Sequence, residues 1–176
     1  RVFGFCGTTG IRAGIHMLRL CRIALALLVV GSAAGAQAQT VALERLMAYI
    51  EVDTINPPGN EIRGAAFFAE IFDAAGVEYE IAESAPGRGN IWARLEGGDE
   101  PALVLLHHID VVPAVAEAWN SDPLTATVRD GVLFGRGALD TKSLGIMHLE
   151  ALLALHDSGR PLNRDVIFMA TADEEA

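Results

Sequence analysis

Two continuous apolar runs limit the folds that this chain can adopt. The first reads ALVLLHHID (residues 102–110) and the second reads DVIFMATA (residues 165–172). Neither run alternates polar with apolar residues, which predicts strands covered on both faces. Between them, Ser143–Ser158 carries apolar residues at helical spacing and is followed by a Gly-Arg-Pro stop. This part of the chain therefore predicts alternating strands and helices.

The same alternation extends through the preceding residues. Further elements are predicted from periodicity and turn residues: helices at residues 43–50 and Glu61–Ala75, strands at residues 77–81 and 91–95, and a hairpin that turns at Asp130-Gly131. We therefore expect an α/β fold, a three-layer sandwich with a mostly parallel central sheet. Because ligands bind such sheets at the carboxyl ends of their strands, the residues that follow each strand are the candidates for a site.

Residues 17–38 have the three-part layout of a secretory signal. Arg19 and Arg22 precede an apolar stretch at Ile23–Val30, and Ala36-Gln37-Ala38 matches a cleavage site. The stretch is shorter than the roughly 20 residues that span a membrane, and an uncleaved anchor helix is the alternative. We expect residues 1–16 to be translated sequence upstream of the true start, and the protein to be secreted or periplasmic.

Charge and cysteine content exclude several functions for residues 39–176. Both cysteines and four of the 13 basic residues precede residue 39, which leaves nine basic residues against 23 acidic ones and a formal charge of −14. Such a surface repels nucleic acid and gives no reason to expect a membrane partner once the signal is cleaved. Without thiols, any metal site must use His, Asp and Glu.

The first polar cluster follows the run at residues 102–110. Alternate side chains of a strand share a face, so His108 and Asp110 can point the same way while His107 points to the other face. An imidazole beside a carboxylate suits a metal ligand with the acceptor that fixes its tautomer. A core histidine with satisfied hydrogen bonds is the alternative.

The second cluster lies in FGRGALDTKS (residues 134–143) and contains Asp140. Strand, glycines, Lys-Ser and helix resemble a phosphate-binding loop, but that loop needs glycine where Thr141 stands. The negative charge of Asp140 would also oppose a phosphate. Capping of the following helix by Asp140 is a further alternative.

The third cluster is the adjacent Asp173, Glu174 and Glu175, at the end of the second apolar run. Neighbouring ionised carboxylates repel one another, and cations relieve that repulsion. Lys142 and Arg136 are the basic residues nearest to predicted strand ends, and a solvated loop start is the alternative. Taken together, one imidazole and several carboxylates suit Zn²⁺, Co²⁺ or Mn²⁺.

Three of these segments, HIDVVP, GRGALDTK and ATADEEA, occur in an order and spacing that resemble the M20 family of metallopeptidases and amidohydrolases. NPPGNE (residues 56–61) and the succession Trp119, Asp122-Pro123, Asp130-Gly131 and Gly135-Arg136-Gly137 are similar to the same family. The resemblance covers roughly residues 41–176. It implies a role for each of five residues: His108 binds a metal, Asp110 orients that imidazole, Asp140 bridges two ions, Glu174 is the general base, and Glu175 binds the second ion.

The resemblance also implies a function. We expect a metal-dependent hydrolase of peptide or N-acyl amino acid amide bonds, similar to carboxypeptidases, dipeptidases or aminoacylases, with two ions, usually Zn²⁺, and small substrates. A non-catalytic binding or structural protein that keeps the same fold is the alternative. We expect the chain to be a fragment, with residues 39–176 forming the N-terminal part of the catalytic domain. The two remaining metal ligands and a lid or dimerisation domain would follow Ala176, so the fragment alone should hydrolyse little.

Overall fold

The computed structural model describes residues 37 and 39–176. Residues 42–176 form one compact unit, and residues 1–41 form another that is described only at positions 37 and 39–41, where the chain is helical. Except for Gln37, the predicted upstream segment and signal peptide lie outside the described residues. Within the described residues, no helix combines the length and apolar character needed to cross a membrane.

The elements follow the predicted alternation. They are α1 (residues 39–51), α2 (Glu61–Ala75), β1 (Tyr79–Glu83), β2 (Gly89–Leu95), β3 (Glu100–His108), β4 (Thr127–Arg129), β5 (Val132–Phe134), α3 (Ser143–Ser158) and β6 (Arg164–Thr171). The predicted bounds of α2 and α3 are confirmed. Helix α2 ends at Ala75. The next residue, Gly76, has a φ of 68°, which brings the N–H of Val77 to the carbonyl of Phe72 at 3.0 Å.

The main sheet has the strand order β1-β2-β6-β3. The α/β class is confirmed, but the expectation of a mostly parallel sheet is wrong for the described strands, because β1–β2 and β2–β6 are antiparallel and β3–β6 alone is parallel. The physical reason is the length of the connections. A tight turn joins β1 to β2, and only residues 96–99 join β2 to β3, so the chain must reverse direction at both places.

The short link between β2 and β3 crosses the beginning of β6. A Cβ on Gly97 would overlap the carbonyl of Arg164, and one on Gly98 would lie 2.7 Å from the carbonyl oxygen of Asn163. The Gly98 N–H donates to the carbonyl of Leu162 over 3.0 Å. Two glycines therefore allow β6 to insert between two strands that are neighbours in sequence.

The hydrophobic core lies on one face of this sheet. Ile91 and Ala93 of β2 and Phe168 of β6 pack there in one buried cluster with helices α1, α2 and α3. The helices contribute Tyr49, Phe68, Phe72, Leu149 and Leu152. Described residues thus supply two of the three expected layers.

The first apolar run forms an edge strand of the described sheet, which corrects the expectation that it is covered on both faces. Val104 and Leu106 of β3 point away from the helices and are 46% and 52% exposed. They lie beside Ile167 and Met169 of β6, which are half-buried. Strand β3 is apolar as predicted. Its burial, however, depends on its position in the sheet, and that position depends on the insertion of β6 between β2 and β3.

Gly97→Ala should destabilise the full-length protein by about 1–3 kcal/mol, because the added methyl group forces two backbone segments apart. Urea denaturation followed by circular dichroism measures the difference. Glu96→Ala, in the same loop with an exposed side chain, is the matched control and should change stability by less than about 0.5 kcal/mol. Equal effects of the two substitutions would contradict the crossing argument.

Candidate metal centre

The two adjacent histidines at the end of β3 have different surroundings. His107 pairs in register with Ala170 and points toward the helices, where its ring packs edge-on against Phe68. Among the described residues, neither ring nitrogen of His107 has a hydrogen-bond partner. Burial lowers the pKa of His107 to about 3, so this imidazole is neutral at physiological pH. The predicted divergence of the two side chains is present, and His107 belongs to the core.

His108 points to the opposite face and is held by its Nδ1 atom. That nitrogen lies 3.0 Å from the backbone carbonyl oxygen of Asp110, which can only accept, so Nδ1 carries the proton. The Nε2 atom of His108 is then the basic nitrogen, and it lies 3.1 Å from Oδ1 of Asp140. The Asp110 carboxylate is farther from Nδ1, at 3.5 Å. The backbone carbonyl of Asp110 therefore makes the shorter contact that orients the ring.

The Asp110 carboxylate holds the turn after β6 in place. It is fully buried and accepts hydrogen bonds from Nδ2 of Asn56 at 2.8 Å and from the N–H groups of Glu174 and Glu175 at 3.2 and 2.8 Å. Burial by itself raises the pKa of Asp110, but these hydrogen bonds outweigh it and the pKa lies below the ordinary value. An ionised Asp110 thus joins the ends of β3 and β6.

Asp140 lies in an irregular segment, Ala138–Lys142, that connects β5 to α3. The N-terminus of α3 has no side-chain cap, so the structure does not support the helix-cap alternative for Asp140. Lys142, at the start of α3, is fully buried, and its Nζ atom donates to the carbonyls of Tyr49 and Val52 at 2.9 and 2.7 Å. Burial lowers the pKa of Lys142 to about 7. The amine of Lys142 thus faces the end of α1 and not the carboxylates of Asp140, Glu174 and Glu175.

The three strand-end clusters meet at His108. Ligand atoms of His108, Glu174 and Glu175 all lie within 4.8 Å of one another, and Asp140 joins them through its contact with Nε2. Oε2 of Glu174 is 3.8 Å from that nitrogen. Asp173 points elsewhere, because its Oδ1 atom lies 3.1 Å from Nη1 of Arg88. The structure thus places four of the five predicted site residues around one point, with Asp110 behind them.

The electrostatics of this point favour a cation. Burial lowers the pKa of His108, but Asp140 and the other nearby carboxylates outweigh it and raise the pKa above its ordinary value. The pKa of Glu175 is also raised, first by burial and then by Asp140 and Glu174, although His108 opposes the shift. Within the described chain, no lysine or arginine forms an ion pair with Asp140, Glu174 or Glu175.

The basic residues nearest to the cluster are used elsewhere. Arg136 donates to the carbonyl of Pro113 and lies over the ring of Trp119, and Lys142 is turned toward α1. A site of one imidazole nitrogen and three carboxylates, without thiolate and without a protein cation, fits a divalent metal such as Zn²⁺.

Comparison with known proteins agrees with this geometry. The model of peptidase family M20/M25/M40 matches residues 104–176. Over these residues, which we call the M20 segment, the chain is similar to the M20 peptidase family. The M20 segment contains all five predicted site residues. The resemblance inferred from the sequence motifs is confirmed.

The similarity to curated relatives begins before residue 104. A succinyl-diaminopimelate desuccinylase from Methylobacterium radiotolerans is 42% identical over 91 residues, which are 51% of this chain and 23% of that protein. The crystal structure of an M20 family metallo-carboxypeptidase from Sulfolobus solfataricus superposes with a TM-score of 0.61 at 22% identity, covering 76% of this chain and 31% of that one.

Human carnosine dipeptidase 1 gives a TM-score of 0.59 at 26% identity, covering 80% of this chain and 33% of that one. The chain therefore spans about a quarter to a third of the length of these proteins. The fold shared with these two structures extends over 76–80% of this chain.

Sequence reasoning did not assign roles to Asn56 and Arg88. Asn56 is 1% exposed and donates through Nδ2 to Asp110 and, at 3.3 Å, to Asp173. Arg88 contacts Asp173 from the turn between β1 and β2. Both residues lie next to prolines or glycines in motifs that predict only loops, so their long-range contacts leave no periodic signal.

Zn²⁺ binding by the full-length protein should weaken on acidification at a higher pH than for an ordinary histidine site. A protonated Nε2 of His108 cannot bind metal, and the pKa of His108 is raised above 6.5, so proton competition begins earlier. Calorimetric titration of the metal-free protein with Zn²⁺ from about pH 8 to about pH 6 measures this.

His156→Gln is the matched control for this titration. His156 is an exposed histidine near the end of α3, so its replacement should leave the pH profile unchanged. An affinity that stays constant until the pH is well below 6.5 would contradict the raised pKa of His108.

Proposed function

We propose that the full-length protein is a metal-dependent hydrolase of peptide or N-acyl amino acid amide bonds. The observation that carries this proposal is the convergence of His108, Asp140, Glu174 and Glu175 at one edge of the sheet, where no described lysine or arginine pairs with their carboxylates. The match of residues 104–176 to the M20 family supports the same conclusion.

In this proposal, three residues hold the metal. His108 supplies Nε2, Glu175 supplies a carboxylate oxygen, and Asp140 supplies a carboxylate that can bridge two ions. Zn²⁺ suits these donors best, and Co²⁺ or Mn²⁺ are alternatives. When bound, such ions polarise a carbonyl group and lower the pKa of water toward neutrality.

Glu174 is the proposed general base. Its side chain is 61% exposed and lies at the edge of the cluster, where a water molecule and a substrate can reach it. Its carboxylate takes a proton from the water that attacks the amide carbonyl carbon, and the C–N bond then breaks as the proton passes to the leaving nitrogen. The N–H groups of Glu174 and Glu175 both donate to Asp110, which fixes this turn before substrate binds.

The named relatives indicate a substrate class. They are a desuccinylase, a metallo-carboxypeptidase and a dipeptidase. Each of these enzyme names denotes hydrolysis of an amide bond, either in a small molecule or at the end of a chain. We propose small peptides or N-acyl amino acids as substrates, not folded proteins.

The proposed site of action is outside the cytoplasm. The sequence from Arg19 to Ala38 supports export to the periplasm or the medium. We further propose that the full-length protein forms a homodimer through a domain that this chain does not include.

Glu174→Gln in the full-length protein should lower kcat by about 10²- to 10⁴-fold on a scissile amide substrate, because the amide side chain cannot accept the proton. Metal content, measured by atomic emission, should stay at the wild-type value. Glu70→Gln, an exposed change on α2, is the matched control and should leave kcat unchanged. Near-wild-type turnover with metal still bound would rule out Glu174 as the base.

Metal removal separates a hydrolase from a non-catalytic protein of the same fold. Chelation should abolish amide hydrolysis by the wild-type protein, and added Zn²⁺ should restore it. Bound metal with no turnover on a panel of dipeptides and N-acyl amino acids would favour the non-catalytic alternative.

A further inference from the structure

The turn that carries Glu174 and Glu175 has a second anchor besides Asp110. It begins at Asp173, which has a φ of 72°, in the left-handed region. The Asp173 carboxylate contacts Nη1 of Arg88 at 3.1 Å and accepts from Nδ2 of Asn56 at 3.3 Å. The same Nδ2 donates to Asp110. Asp173 therefore connects the turn to Arg88 and Asn56, and the N–H of Ala172 connects it to Oδ1 of Asn90 at 3.0 Å.

Arg88 in turn is held by a buried carboxylate. Its Nη1 atom lies 2.8 Å from Oε1 of Glu61, the first residue of α2, and the Glu61 side chain is fully buried. Such a carboxylate requires a countercharge, and among the described residues the only ion pair that Glu61 makes is with Arg88. The Arg88 side chain is 18% exposed, so it is mostly shielded from water.

The surrounding backbone is shaped to admit this guanidinium group. Gly59 has a φ of 81°, and a Cβ at that position would overlap the Arg88 side chain. Gly89, the residue after Arg88, lies so close to α2 that a Cβ would be 2.6 Å from Cα of Ile62. Two glycines thus leave room for Arg88 between α2 and the end of β6.

From these contacts we infer that Arg88 is a positioning residue for the metal centre. Glu61 holds Arg88 in place, and Arg88 contacts Asp173. This contact holds the Glu174–Glu175 turn against Asp110. This inference rests on the proposed function, because it assigns a purpose to the turn that carries the proposed base and a proposed ligand. Among the described residues, Arg88 makes no hydrogen bond or ion pair with His108, Asp140, Glu174 or Glu175. Its effect passes through Asp173.

The test uses the full-length protein and four changes. Arg88→Met removes the contact with Asp173 but leaves Glu61 buried and unpaired, so it can fail to fold. The double variant Glu61→Gln/Arg88→Met also removes the charge of Glu61, and it still lacks the contact between residue 88 and Asp173. Glu61→Gln alone retains Arg88 and its contact with Asp173. Arg94→Met is the matched control, because Arg94 lies on β2, the strand that follows Arg88, and pairs with Asp165, away from the site.

Two measurements separate positioning from stability. Zn²⁺ is titrated calorimetrically into each metal-free protein, and kcat and KM are measured for the reloaded enzyme on one amide substrate. We expect the Glu61→Gln/Arg88→Met protein to bind Zn²⁺ about 10- to 100-fold more weakly and to lose kcat with little change in KM. Glu61→Gln and Arg94→Met should keep wild-type Zn²⁺ affinity.

Three further variants test the route through Asp173. Asp173→Asn keeps the shape and tolerates the left-handed conformation, and it should weaken Zn²⁺ binding as Arg88→Met does. The two changes together should cost no more than one alone, because both break the same contact. Arg88→Lys keeps the charge and should recover part of the affinity.

Three outcomes would overturn the inference. Unchanged Zn²⁺ affinity in a folded Glu61→Gln/Arg88→Met protein would show that Arg88 only neutralises Glu61. An equal loss from Glu61→Gln alone would show a general structural role, as would additive losses from Arg88→Met and Asp173→Asn. If the wild-type protein hydrolyses no amide but its Zn²⁺ affinity depends on Arg88, the proposed function fails and the positioning role stands.

Discussion

The site depends on one buried carboxylate that bonds to the backbone of another strand. Asp110 follows β3, and its carboxylate accepts hydrogen bonds from N–H groups of the turn after β6. Because an unpaired buried carboxylate is costly, the turn and Asp110 stabilise each other. His108 precedes Asp110 by two residues and is oriented by its backbone carbonyl. A single residue therefore sets the position of an imidazole and of two carboxylates.

The parallel pairing of β3 with β6 is what allows this arrangement. His108 lies opposite Thr171 in register, so both strands end at the same edge of the sheet. The irregular segment before α3 delivers Asp140 to the same edge from a third part of the chain. Lys142 fixes that segment to the end of α1 through two backbone carbonyls. Scaffold and site are thus connected by buried polar groups.

The sequence predicted the site better than it predicted the sheet. Helices α2 and α3 and the residues around His108 have local signals, namely periodicity, caps and polar clusters at strand ends. The direction and order of strands depend on the length of a loop and on Gly97 and Gly98, which read only as a turn. The partners of Asp110 and Asp173 were missed for a similar reason, because Asn56 contacts Asp110 across more than 50 residues and Arg88 contacts Asp173 across more than 80.

The insertion of β6 between β2 and β3 also determines when the site can exist. β2 and β3 are made early and lie one strand apart, and the strand that fills the space between them is made last in this part of the chain. Until β6 is added, no described strand pairs with His108, and Asp110 lacks the N–H groups of Glu174 and Glu175 as hydrogen-bond donors. The strand that closes the described sheet is therefore the one that brings Glu174 and Glu175 to His108, and a chain interrupted before Thr171 would lack both.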